Sequence, residues 1–162
     1  KAIDRVLNVN LYGVIYVTKV FLPYLLERPE AHILNVSSMG GFLPVPGQSL
    51  YGASKSAVKL FTEALHSELV AINIGVTVAF PGAIETNIAA NSGAHLPVAE
   101  AGKGMKMTPA VTAAEIMIEA IEKNSYQVFV GSDSKMMNFL YRLSPKMAAR
   151  LIYKNMASLL GN

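Results

Sequence analysis

Three short runs rich in β-branched and aromatic residues, at 32–37, 75–80 and 126–130, are separated by stretches of ten or more residues whose apolar positions recur at helical spacing. An antiparallel pair is closed by a tight turn, whereas a parallel pair needs a crossover long enough to hold a helix. The order helix, strand, helix, strand, helix, strand, helix therefore predicts an α/β fold with a doubly wound parallel sheet and right-handed crossovers. Three strands make a small sheet for this class, and parallel strands need cover on both faces. The pattern is expected to be the second half of a larger sheet, with the first half absent from this chain and lying before Lys1.

The first helical stretch covers 1–27, with Ile3, Val6, Leu7, Val14, Val17 and Phe21 in phase and a kink expected at Pro23. A Gly/Pro loop at 40–47 leads into a long helix over about 50–72. A third helix is predicted over 113–123, with Thr112 and Glu115 as its capping box. Residues 135–160 read as helix broken at Ser144 and Pro145. Between them, 83–107 is rich in Ala, Gly and Asn and shows little periodicity. Of 162 residues 52% are hydrophobic and 15% charged, so the chain is expected to fold as one globular domain over 1–162.

The absence of cysteine excludes disulfides, thiolate metal sites and a cysteine nucleophile, and fits a reducing, cytoplasmic setting. His32, His66 and His95 are not at ligand spacing, so no metal is expected. Asn35 starts a glycosylation triplet, but its place in an apolar strand argues against use. No run reaches the ~18 uncharged residues of a membrane span. No acid follows Asp133, whereas Lys135, Arg142, Lys146, Arg150 and Lys154 do, which makes 135–162 a basic amphipathic tail. Docking of its apolar face onto the domain or a second subunit is expected, with weak peripheral contact to anionic lipid as a secondary role. Basic residues spread over a face with interleaved aromatics are missing from the body, so no nucleic-acid partner is expected.

The chemistry is concentrated between Ser38 and Lys55. Tyr51 and Lys55, four apart on a helix, share one face about 6 Å from each other. At an effective dielectric of ~20 the ammonium favours tyrosinate by roughly 3 kcal/mol. Ser38 falls at the carboxyl end of a strand, where parallel sheets place ligands, and its hydroxyl can donate to a developing oxyanion. Together with Asn10 in Asn8-Val-Asn-Leu-Tyr-Gly13, and Pro81-Gly82 followed by Thr86, this spacing resembles the short-chain dehydrogenase/reductase family over nearly the whole chain.

The resemblance implies the C-terminal catalytic part of a Rossmann-like, NAD- or NADP-dependent oxidoreductase acting on an alcohol or carbonyl, apolar to judge by Phe42-Leu-Pro-Val-Pro46. It gives Tyr51 the role of general acid/base and Ser38 the substrate oxygen. Lys55 would tune Tyr51 and bind the nicotinamide ribose, and Asn10 would hold a water relaying protons through Lys55. Val36, Pro81, Gly82, Ile84 and Thr86 would line the nicotinamide. Met39, Leu43, Gln48 and residues 88–107 would contact the substrate. The family's usual interface, built from helices 1–27 and 50–72 and their copies, implies a homodimer or homotetramer. The family's glycine-rich turn and Asn-Asn-Ala-Gly segment are not in this sequence. Two other readings stay open: a non-catalytic binding or assembly module of the same fold, and an NAD-dependent epimerase or lyase relative.

Overall fold

A computed structural model describes residues 1–87 and 107–156. Helix α1 (Ala2–Leu7) runs through a π turn (Asn8–Tyr12) directly into α2 (Gly13–Leu26). Strand β1 (Ala31–Val36), a 3₁₀ turn (Met39–Gly41) and α3 (Ser49–Leu69) follow. Next come β2 (Ile74–Pro81), the two-residue strands β3 (Ile84–Glu85) and β4 (Thr108–Pro109), and α4 (Ala110–Glu122). The chain ends in β5 (Gln127–Val130), α5 (Ser132–Leu143) and α6 (Pro145–Met156). The expected substrate segment 88–106 and the tail residues 157–162 lie outside the described residues.

The three long strands are neighbours in the order β1-β2-β5, and both pairs are parallel. Ala31 pairs with Ile74 and Val36 with Ala79, while Pro81 pairs with Val130. The fold class is thus the expected one, with helices on both faces of a parallel sheet.

One face is a conventional apolar core. Ile33, Ile74 and Val76 meet Leu65 and Leu69 of α3, with Leu22 and Leu25 of α2 alongside. On the same face Asn35 is buried and donates to Thr62 Oγ1 at 3.1 Å, so the glycosylation triplet sits in packed interior. The opposite face carries His32 and Thr77, joined at 2.8 Å. The Thr77 hydroxyl donates to the carbonyl of Ser125, just past α4. The buried Ala113 and Ala120 help α4 approach the sheet.

The two connections therefore leave opposite faces of a sheet whose order advances in one direction. They have opposite hands, so one departs from the right-handed rule expected of both. The β3–β4 ladder supplies the detour. It holds the chain at the carboxyl edge of the sheet, pairing Ile84 with Thr108, and α4 returns over the face that α3 leaves bare.

Local expectations fail in two places. The capping box does not form: α4 starts three residues earlier, after Pro109, and no side chain caps it. Pro109 provides extended backbone at that boundary, and Thr112 falls inside the first turn. The expectation of no membrane-length segment also needs correction. Between Arg5 and Glu27 the one charge is Lys19, and the continuous helix Ala2–Leu26 is long and apolar enough to cross a bilayer by length and composition. The break at Ser144 is as expected, and α6 docks Ala148, Leu151 and Ile152 against α5 and the loop that holds Leu43. Membrane attachment through that face would require undocking it.

Burial pushes the His32 imidazole below the ordinary histidine range. The single Thr77 hydrogen goes to Ser125, so His32 Nε2 must carry the hydrogen toward Thr77 in the neutral ring. The unfolded chain then takes up the proton first on acidification. Stability should fall as pH drops from about 6.5 toward the lowered folded value, by up to 1.36 kcal/mol per unit of pKa difference. Thermal unfolding from pH 7.5 to 5 should show a shallower slope in His32→Gln than in the parent, and parallel slopes would refute the burial argument.

Candidate active site

The site is assembled at the carboxyl end of β1. The Ser37 N–H donates to the carbonyl of Ala79 at 2.8 Å, which extends the sheet by one residue before the chain turns. Ser38 is extended, and its Oγ accepts the Gly40 N–H at 3.1 Å, so its own hydrogen can point elsewhere. The loop is then fastened to α3. Ser37 Oγ donates to the Lys55 carbonyl at 2.8 Å and Ser56 Oγ to the Gly41 carbonyl at 2.7 Å. The approach is close enough that a Cβ on Gly41 would overlap Ser37 Oγ and stand 3.0 Å from the Lys55 oxygen.

Gly40 separates the two expected reacting groups. A Cβ there would lie 3.3 Å from the Tyr51 ring edge and 3.6 Å from Ser38 Oγ. The Tyr51 ring and the Ser38 hydroxyl thus flank one glycine. One helical turn further on, Lys55 Nζ donates to the carbonyl of Val36 at 3.0 Å. Burial pushes the Lys55 ammonium below the usual lysine range. A partly desolvated ammonium acts through a lower dielectric, which strengthens its field at Tyr51 while loosening its hold on its own proton. Two of its three hydrogens remain for other acceptors.

The neighbouring strand end carries Pro81 and Gly82. From there Ile84 enters the β3–β4 ladder, and Thr86 is exposed. A cleft of about 650 Å³ opens beside Thr86, lined by Glu85, Asn87, Met107 and Ala110. It does not touch Ser38, Tyr51 or Lys55, so the cleft and the hydroxyl pair are separate features among the described residues.

A model of the family described as short chain dehydrogenase matches residues 1–97, more than half of the chain. The chain belongs to the short-chain dehydrogenase family. A Mycobacterium tuberculosis protein named for oxidoreductase activity, SadH, is 33% identical over 97% of this chain and 60% of its own length. A Brucella melitensis 3-oxoacyl-[acyl-carrier protein] reductase with bound NAD is 27% identical, with a TM-score of 0.64 over 79% of this chain and 49% of that one. A Burkholderia cenocepacia short chain dehydrogenase in complex with NADP shares the fold at a TM-score of 0.76 and 20% identity, over 90% of this chain and 56% of that one. The chain thus spans about half to three-fifths of the length of these relatives.

Within this short-chain dehydrogenase, one expected site residue sits elsewhere than the resemblance implies. Leu43 is buried against Met137 and Ala148, with Met39 packed beside them, so its side chain faces interior rather than a ligand. The Asn10 amide donates to Ser54 Oγ at 3.2 Å, and Ser54 donates to the Tyr51 carbonyl at 2.7 Å. Gln48 sits half-buried just before α3, and its carbonyl accepts the Gly52 N–H. Sequence reasoning missed the π turn that carries Asn10, a distortion frequent at functional sites. It also missed Ser37, Ser54 and Ser56, whose hydroxyls stitch the site to α3. Small polar residues flanking a Tyr-x-x-x-Lys pair were the available signal.

Gly41→Ala should separate the loop from α3 and lower unfolding free energy by about 1–3 kcal/mol, the usual cost of overpacking. Urea denaturation measures this, and an unchanged midpoint would show that the loop does not need the close approach.

Proposed function

We propose that this chain carries the catalytic half of an NAD- or NADP-dependent oxidoreductase that interconverts an alcohol and its carbonyl. The carrying observation is the Tyr51 ring and the Ser38 hydroxyl on either side of Gly40, with Lys55 one turn away. A bound nicotinamide nucleotide supplies the hydride acceptor or donor. The residues at the two strand ends fit one. Val36 closes the edge strand β1 and is 42% exposed, so it offers an apolar surface beside the two remaining hydrogens of Lys55. Pro81 and Gly82 form the facing wall, with Ile84 and Thr86 beyond.

In the oxidative direction the substrate hydroxyl lies between Ser38 and Tyr51. Ser38 donates to the oxygen and fixes its position. Tyr51 takes the hydroxyl proton as the carbon gives up its hydride, so a hydride and a proton leave by different routes. Lys55 stabilises the tyrosinate that serves as this base, which becomes neutral tyrosine as it takes the proton. Asn10 acts through Ser54 on the turn that presents Tyr51. On this reading Met39, Gln48 and residues 88–107 contribute to substrate contact, and the buried Leu43 supports their loop from within.

The same reading makes the chain part of a homo-oligomer. Val9, Tyr12, Tyr16, Val17, Val20, Phe21 and Tyr24 are all exposed along one helix of a chain that spans about half to three-fifths of its relatives. An apolar surface this broad calls for cover, which a second copy supplies on this reading. A membrane span is the competing explanation for the same helix. Asn10 and Leu22 already face the protein, which favours a flat interface on one side over lipid all round.

Tyr51→Phe in the full-length protein should lower kcat by a factor of about 10²–10⁴ with nucleotide affinity nearly unchanged. Lys55→Met should damage both. Steady-state kinetics with a panel of apolar alcohols and titration of reduced nucleotide test the pair. Substantial turnover by Tyr51→Phe would remove the proton-transfer role, and no turnover by the parent protein would leave the binding-module reading. Phe21→Glu should convert the oligomer to monomer in light scattering, and an unchanged mass would remove the interface.

A further inference from the structure

Outside the catalytic loop, one short stretch of backbone is held unusually firmly. The Phe80 carbonyl accepts from the buried Ser134 hydroxyl at 2.7 Å. The Gly82 N–H donates to the Val130 carbonyl at 2.9 Å, and the Ala83 carbonyl accepts the Thr108 N–H at 2.9 Å. The remaining donor, the Ala83 N–H, goes to a side chain: Asp133 Oδ2 accepts it at 2.7 Å. Asp133 is half-buried in the first turn of α5, where the helix dipole favours a carboxylate.

The arrangement is reciprocal. A Cβ on Gly82 would overlap the Asp133 carboxyl group, although the Gly82 backbone is not in the left-handed region that excludes other residues. Gly131, which aims Asp133 at the turn, has φ +96, and a Cβ on it would also collide with that carboxylate. Two glycines are therefore required by the position of a single acid, rather than by their own conformations alone.

We propose that Asp133 is a positioning residue for the nucleotide site. Its carboxylate fixes the Pro81–Gly82–Ala83 turn, and its presence over Gly82 is what demands glycine there. The idea rests on the reading above that this turn faces the nicotinamide. Asp133 touches neither ring nor substrate, and acts by holding the Ala83 amide in place. A charge-assisted bond of this kind is stronger than a neutral one, so the turn keeps its shape whether or not nucleotide is bound.

The test uses the full-length protein with Asp133→Ala, Asp133→Asn, Gly82→Ala and the double variant Gly82→Ala/Asp133→Ala. NADH and NADPH dissociation constants are read by nucleotide fluorescence, and hydrogen exchange is followed at the Ala83 amide. Asp133→Ala should weaken nucleotide binding about tenfold and speed Ala83 exchange about tenfold, as expected for losing a hydrogen bond to a charged group. Asp133→Asn keeps an acceptor and should recover most of both losses. Gly82→Ala should weaken binding by displacing the carboxylate, and the double variant should be no worse than Asp133→Ala alone.

Additive losses in the double variant would overturn the proposal, as would unchanged Ala83 exchange in Asp133→Ala. Faster exchange with unaltered nucleotide affinity would overturn the placement of the ring on this turn, while leaving the proton-transfer test of Tyr51 standing. Should Asp133→Ala fail to fold, Asp133→Asn decides: it must show a smaller change of the same sign in both readouts.

Discussion

The contact between the loop leaving β1 and the backbone of α3 governs the remainder of the site. Two adjacent glycines, Gly40 and Gly41, let main chain meet main chain, and serine hydroxyls on each side close the seam. This is what sets the Ser38 hydroxyl and the Tyr51 ring about one glycine apart. Any side chain at 41 would push the loop outward and carry Ser38 with it. The seam itself rests on the sheet, because Ser37 is still bonded to Ala79 when the loop begins. Register between β1 and β2 is thus transmitted to Ser38 and Tyr51 through two hydrogen bonds.

The second strand end is organised differently. The turn after β2 is held by residues that follow β5, far along the chain, and by an acid as well as a hydroxyl. The two walls of the proposed nucleotide site are therefore built by independent means, one local to α3 and one dependent on the β5–α5 junction. The aromatic cluster joins them. Phe42 meets Phe80 and Phe129 edge-on, with ring centroids at 5.6 and 6.0 Å, and Tyr141 lies 5.9 Å away. Such pairs prefer tilted or offset contacts, so the loop, the sheet and α5 share one fixed arrangement.

Much of this was readable in the residues. The strand runs and the helices between them specified a parallel sheet because side-chain periodicity is a local property. The Ser38, Tyr51, Lys55 spacing was readable because helix geometry alone brings 51 and 55 onto one face. What escaped depended on distant partners. Nothing near Thr112 reveals that Pro109 starts the helix first. Helical periodicity over 1–27 does not betray a π turn at Asn10. The face taken by α4 follows from the β3–β4 detour, and Asp133 gains its meaning only from Ala83 fifty residues earlier. Leu43 looked like a ligand contact because it lies in an apolar loop, but it proved to be the anchor by which α6 holds that loop.

That anchor sets an order of events during synthesis. Ala148 and Met137 lie far downstream of Leu43, and they bury it. At ribosomal speeds of about 5–20 residues per second, seconds elapse between the emergence of Ser38, Tyr51 and Lys55 and the arrival of the helices that close over their loop. For that interval the nascent chain displays Leu43, Phe42 and the edge of the growing sheet without cover. The nascent chain is thus open to chaperone capture, or to pairing with another unfinished copy, just after Ser38, Tyr51 and Lys55 have been made.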